Sequence, residues 1–217
     1  MKLTLAEELF LISLDDTSGK LRGDDYLAYG LAGAFLIDLA FLGKLFIDQK
    51  KNLHLQNMEM PDESLLVPVM TSLIEAKKEK KVTAWIYALS ERKFSKKVPA
   101  RLVERGIVKE EKKHWFWVIP YVAYPQQDAS AKYWIKEKLR AIVQAGRTGD
   151  PRTVALLSLL KACRMLDLVF TRDERKAASK RIDQLVKDDL IGNEVAATIE
   201  EIESAASAAV IATSTLN

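Results

Sequence analysis

The chain has 217 residues, 48 % hydrophobic and 29 % charged, with a formal net charge of +3. These are the proportions of an ordinary globular protein, large enough for one well-filled core. So small a net charge excludes a strong global field for nucleic acid or membrane. The lone Cys163 excludes an internal disulfide and fits a reducing compartment. No apolar run approaches the roughly 18 residues of a membrane span. Acids at Glu7 and Glu8 come too early for a secretory signal. The expectation is a cytoplasmic protein that meets a membrane, if at all, at its surface.

Residues 4–14 read as a helix whose Thr4 and Glu7 have capping-box spacing. Asp15 to Gly19 reads as a turn. Asp24 or Asp25 can cap a helix over 26–42, in which Gly30, Ala32, Gly33 and Ala34 allow close helix packing. That marks it as the central, buried helix, ended by Gly43. Leu45-Phe46-Ile47 and Leu53-His54-Leu55 flank a polar turn and predict a hairpin. Pro61-Asp62 opens a predicted helix to about residue 81, with a kink or break at Pro68.

Helices follow over 83–93, with Trp85 and Leu89 on one face, and over 98–105, stopped by Gly106. Ile107-Val108 and His114 to Ile119 read as the strands of a second hairpin around a charged loop at 109–113, with an irregular exit at Pro120, Tyr121, Tyr124 and Pro125. The remainder reads as helical: 129–146, then 152–170 behind the cap Asp150 and Pro151, then 173–186 and 193–212. The expected fold is mainly α: one compact helical bundle over 1–217 around a central buried helix, with one or two short β-hairpins.

No catalytic constellation is predicted. His54 and His114 stand in strands without a nucleophile or carboxylate set nearby, and Cys163 lies among Leu159, Leu160 and Leu166 as an apolar packing residue. There is no phosphate loop, no dinucleotide fingerprint and no zinc spacing, so neither cofactor nor metal is expected. Asp24-Asp25 and Asp188-Asp189 read as caps and solvated turns.

Charge is uneven along the chain. Between Glu75 and Lys113 thirteen Lys or Arg face six acids, a segment of +7 in a chain of +3. Such a segment is a candidate face for phosphorylated headgroups or nucleic acid. It is equally a set of solvated helix ends, since cations favour helix C-termini. Trp115-Phe116-Trp117 in a strand would present aromatics to both faces, one for the core and one for a partner or membrane interface.

Four segments together resemble the Golgi phosphoprotein 3 family: Leu3 to Ile12, Tyr29 to Ala40 around Gly30-Leu31-Ala32-Gly33, Leu102-Val103-Glu104-Arg105-Gly106-Ile107-Val108, and Asp150 to Leu160 around Arg152-Thr153-Val154-Ala155-Leu156-Leu157. Their order and spacing agree across nearly the whole chain. The resemblance implies a helical bundle with edge hairpins, no catalysis, binding of phosphatidylinositol 4-phosphate and of protein clients, and a hydrophobic hairpin, here 107–119, that serves membrane contact or homo-oligomerisation. The family's pocket tryptophan corresponds to Gly23 and its pocket arginine to Ala32, so the resemblance implies anionic-membrane binding without strong phosphoinositide specificity. The compact loops and short N-terminus suggest a bacterial relative. The headgroup-binding residues are then Arg92, Lys93, Lys96 and Lys97, with Trp115, Phe116 and Trp117 adding apolar contact. The rival reading is a winged-helix-like nucleic-acid module built from 83–93, 98–105 and the following hairpin.

Overall fold

The computed structural model describes residues 2–22, 24–76, 80–91, 94–115, 119–144, 150–187, 201 and 204–212. Helix α1 (Leu5–Ser13) starts at the predicted capping box: Thr4 Oγ1 accepts from the Glu7 amide, and the Glu7 carboxylate accepts from the Thr4 amide at 2.8 Å. α2 (Asp24–Phe41) follows and carries buried side chains on all sides, among them Leu31, Ala32, Phe35, Leu36, Ile37 and Leu39. A helix apolar all round must be enclosed, and α2 packs against α1, α4 (Val82–Glu91) and α7 (Pro151–Ala162). The central buried helix of the sequence reading is this one.

Its small residues work as expected. A β-carbon added at Gly30 would stand 2.6 Å from Cys163 Sγ and 2.9 Å from Leu9 Cδ2. Both neighbours are fully buried and have nowhere to move, so overpacking costs about 1–3 kcal/mol. Gly30→Ala is expected to lower stability by that amount in urea unfolding, and the double variant Gly30→Ala, Cys163→Ala to recover part of it.

α2 ends as the sequence indicated. Gly43 adopts φ +64, its amide donates to Ala40 O and the Lys44 amide to Leu39 O. That is the Schellman pattern glycine permits. The strands β1 (Leu45–Ile47) and β2 (Leu53–Leu55) then pair antiparallel, Phe46 opposite His54. The helix expected over 61–81 is a shorter one, α3 (Val67–Ile74). Pro68 lies in its first turn, where no amide hydrogen is needed, so it starts the helix instead of kinking it. Beyond Ile74, Lys80 O accepts from the Leu53 amide and Lys51 O from the Val82 amide. The backbone around 80–82 is thus drawn to the β1–β2 hairpin and away from helical bonding.

α4 buries Trp85 and Leu89, and α5 (Lys97–Glu104) lays Val98, Pro99 and Leu102 against α1. Gly106, φ +68, closes α5 with a second Schellman pattern: its amide donates to Val103 O and that of Ile107 to Leu102 O.

The second hairpin is displaced from its expected place. Its strands are β3 (Glu111–Trp115) and β4 (Ile119–Ala123), with Lys113 opposite Tyr121 and Trp115 opposite Ile119. The charged stretch expected as a loop is largely strand, and the expected irregular exit is the returning strand. The reason is solvent. A two-stranded ribbon tolerates charge on both faces, and Glu111 engages Lys109 at 2.5 Å and Lys113 at 3.1 Å. Ile107-Val108 is not a strand of that hairpin; Val108 forms an isolated bridge to Gln126.

α6 (Ser130–Gln144) leads to α7, capped by Asp150, whose carboxylate accepts from the Thr153 amide at 3.1 Å. The helix expected to run to residue 170 stops at Ala162. Arg164 takes φ +57, its amide donates to Lys161 O and that of Met165 to Leu160 O. The stop is the same Schellman geometry without its usual glycine. A 3-10 turn (Leu166–Leu168) and α8 (Arg175–Lys187) follow, and residues 204–212 are helical.

Candidate functional site

Of the predicted headgroup residues, Lys96 and Lys97 are exposed at the start of α5. Arg92 and Lys93 lie outside the described residues, as do Phe116 and Trp117 and the side chain of Trp115. Four of the thirteen cations of the +7 segment are in ion pairs among the described residues. Arg101 Nη2 lies 3.0 Å from Glu63, Arg105 Nη1 3.0 Å from Glu7, and Lys109 and Lys113 flank Glu111. Lys80 rests over the Trp85 ring at 5.1 Å. The exposed charge is therefore narrower than the sequence count indicated, and Lys96-Lys97 is part of what stays on the surface.

Lys96 is one of the residues lining a cleft of 190 Å³. One wall is the Leu27, Ala28 and Leu31 face of α2. Opposite are Phe10 and Tyr124, whose rings meet edge to face at 5.5 Å. The turn at 15–22 holds that wall in place: Gly19, φ +67, approaches so closely that a β-carbon there would fall 2.3 Å from Pro125 N. Ser95 and Lys96 are among its lining residues. The cleft was not legible in the sequence, because it joins residues from 10 to 124 that no local pattern connects.

It also missed a network of buried charge beneath α1. The Glu7 side chain is fully buried, and both its oxygens accept from Arg105 Nη1, at 3.0 and 3.1 Å. Arg152 donates to Asp38 at 2.6 Å and to Leu3 O at 2.7 Å, while the Leu5 amide donates to the other Asp38 oxygen. Glu8 is 3.8 Å from Arg152 Nε, too far for a hydrogen bond, and burial, outweighing the opposing pull of that guanidinium, pushes its carboxyl up to about 7. Two arginines thereby tie α5 and α7 to α1 and α2. The arrangement is architectural: the groups face one another across helix contacts and line no part of the cleft.

The remaining reactive residues have structural surroundings. His54 Nε2 lies 2.9 Å from Asp48 and its ring stacks on Phe46. Asp48 is held down at about 2, chiefly by the Asn52 amide and then by His54. Cys163 is enclosed and burial raises its thiol to about 12, far from the thiolate form that reacts. Among the described residues no three His, Cys, Asp or Glu side chains gather as a metal site, and no helix is long and apolar enough to cross a membrane.

A family model for Golgi phosphoprotein 3 (GPP34) matches residues 5–202. The chain belongs to the Golgi phosphoprotein 3 family. It is also similar to vacuolar protein sorting-associated protein 74 of Schizosaccharomyces pombe, with 28 % identity over 86 % of this chain and 67 % of that protein. Ala32, where the resemblance places a pocket arginine, is 1 % exposed and packed in the core. Gly23, where it places a tryptophan, lies outside the described residues.

Proposed function

We propose that this protein is a non-enzymatic peripheral adaptor that meets anionic membrane through Arg92, Lys93, Lys96 and Lys97, with Trp115, Phe116 and Trp117 adding apolar contact, and that recruits protein clients at the cytosolic surface. The family match carries this reading, supported by the exposure of Lys96 and Lys97. Phosphatidylinositol 4-phosphate is the headgroup the family suggests. With glycine at 23 and alanine at 32, selectivity over other anionic lipids is expected to be slight, because neither an aromatic wall nor a guanidinium fork is supplied there. Self-association through the second hairpin would add avidity.

Each cation near an anionic surface contributes about 1 kcal/mol, screened over about 8 Å at physiological salt. Four together reach about 4 kcal/mol, around millimolar affinity. Charge therefore needs the apolar hairpin, where part-burial of one large aromatic adds about 1.5–3 kcal/mol. The double reversal Lys96→Glu, Lys97→Glu is expected to abolish sedimentation with phosphatidylserine vesicles at low salt. Phe116→Ala is expected to weaken it less and leave its salt dependence intact. Unchanged sedimentation of a folded charge-reversed protein would overturn the assignment.

A nucleic-acid role is the weaker alternative. Arg101 of α5 and Arg105 at its C-cap are occupied by Glu63, Ser64 and Glu7, and the Val98, Pro99 and Leu102 face of α5 is buried. A duplex-DNA shift assay beside the sedimentation series separates the two.

A further inference from the structure

We propose that a second cleft, lined by the chain just after α2, by residues 59–63 and by Arg101 of α5, docks a partner protein through a segment whose carboxylate side chain is flanked by aliphatic and basic ones. This goes beyond the adaptor reading, none of whose membrane residues lines the cleft. Lys44 carries the argument. It is 8 % exposed, and its ammonium lies 3.6 Å from Glu59, beyond hydrogen-bond reach. Glu59 is tied instead to Asn57, whose side-chain amide donates to it at 3.2 Å. Among the described residues the Lys44 ammonium donates no hydrogen bond. The cleft's other cation is already taken up, since Arg101 holds Glu63 at 3.0 Å and Ser64 at 2.9 Å. Lys44 is therefore the group with donors to spare, and an incoming carboxylate would give it a charge-assisted bond.

The rest of the lining says what surrounds that carboxylate. Leu42 and Met60 are 51 % and 50 % exposed, apolar side chains that gain from being covered. Asp62 is exposed, and its carboxylate has no ion pair or hydrogen bond among the described residues, so a cation on the partner would be matched. The same acids argue against a bilayer. Glu59, Asp62 and Glu63 outnumber Lys44 and Arg101, and an anionic membrane or a nucleic acid would be repelled. Walls half open to solvent do not enclose a metabolite. A protein segment can present both charges beside an aliphatic side chain, and exposed methionine adapts its shape to such a partner.

Methyl NMR of the full chain labelled at its methionines, titrated with acetyl-Lys-Leu-Glu-Leu-Lys-amide, tests this. A saturable shift of the Met60 methyl is expected, with the buried Met70 unmoved. The same peptide with glutamine for its glutamate is expected to bind about tenfold more weakly, and with serine for both leucines at least about tenfold more weakly. Lys44→Leu is expected to erase the preference for glutamate over glutamine, and Asp62→Asn to weaken both peptides about threefold. No saturable shift, equal affinity for the glutamate and glutamine peptides, or a glutamate preference that survives in a folded Lys44→Leu protein would each overturn the proposal. If Lys44→Leu fails to fold, the peptide pair on the unaltered chain decides. Sedimentation of Lys44→Leu with phosphatidylserine vesicles is expected to match the unaltered protein, which keeps failure of this proposal distinct from failure of the adaptor reading.

Discussion

Arg105→Ala is expected to lower the unfolding free energy by about 3–5 kcal/mol, the penalty for leaving a buried ion without its partner. Glu7 is fully enclosed, and Arg105 Nη1 bonds both its oxygens. The Thr4 amide and hydroxyl, the other donors to Glu7, reach one oxygen only, Oε2. Truncation of the arginine thus leaves a buried charge with hydrogen bonds on one side and solvent on neither. The control is Arg105→Ala combined with Glu7→Gln, which removes the stranded charge and keeps an acceptor for Thr4. Urea unfolding should show the double variant more stable than Arg105→Ala alone. Equal loss in both would mean that packing of the Arg105 stem, and not its charge, carries the effect.

The second large effect depends on pH. Burial raises the Glu8 carboxyl from 4.5 to about 7 in the folded chain. Between these values the folded state keeps a proton that the unfolded state has released, so stability falls as pH rises through that window. The loss is complete above about pH 7 and is on the order of 3 kcal/mol. Asp38 is raised too, by burial in spite of Arg152, and acts in the same direction. Glu8→Gln presents a neutral group at every pH. It is expected to match the unaltered protein near pH 4 and to exceed it by that order of magnitude at pH 8. Parallel stability curves for the two proteins across pH 4–8 would show that Glu8 stays ionised in the folded state.

What the sequence disclosed, it disclosed through local chemistry. Thr4 with Glu7, Asp150 with Pro151, and the glycines at 43 and 106 each fix a helix end within a few residues, and each is found where it was read. The errors share a cause as well. Arg164 ends α7 in a left-handed conformation that a non-glycine residue seldom takes, so nothing in the local pattern marked the stop. Pro68 reads as a kink or break inside a long helix, whereas it stands in the first turn of a short one, and residues 80–82 bond to the β1–β2 hairpin instead of extending it. The basic segment looked uniform because Glu7, its partner at Arg105, is 98 residues away. The cleft was invisible for the same reason: Phe10, Leu31, Lys96 and Tyr124 become neighbours only when the bundle closes.

The burial of α1 has a consequence for biosynthesis. Leu5, Leu9, Phe10, Leu11 and Ile12 are at most 3 % exposed, covered by α2, α5, α6 and α7 together. α7 begins at Pro151, so nearly the whole bundle must be translated before the last of these covers exists. At about 5–20 residues per second the wait lasts roughly 10–30 s. Until then a largely apolar helix stands outside the ribosome incompletely covered, first by α2 and later by α5 and α6. A holding chaperone that engages this segment is therefore expected to raise the yield of folded protein more than one acting after chain release.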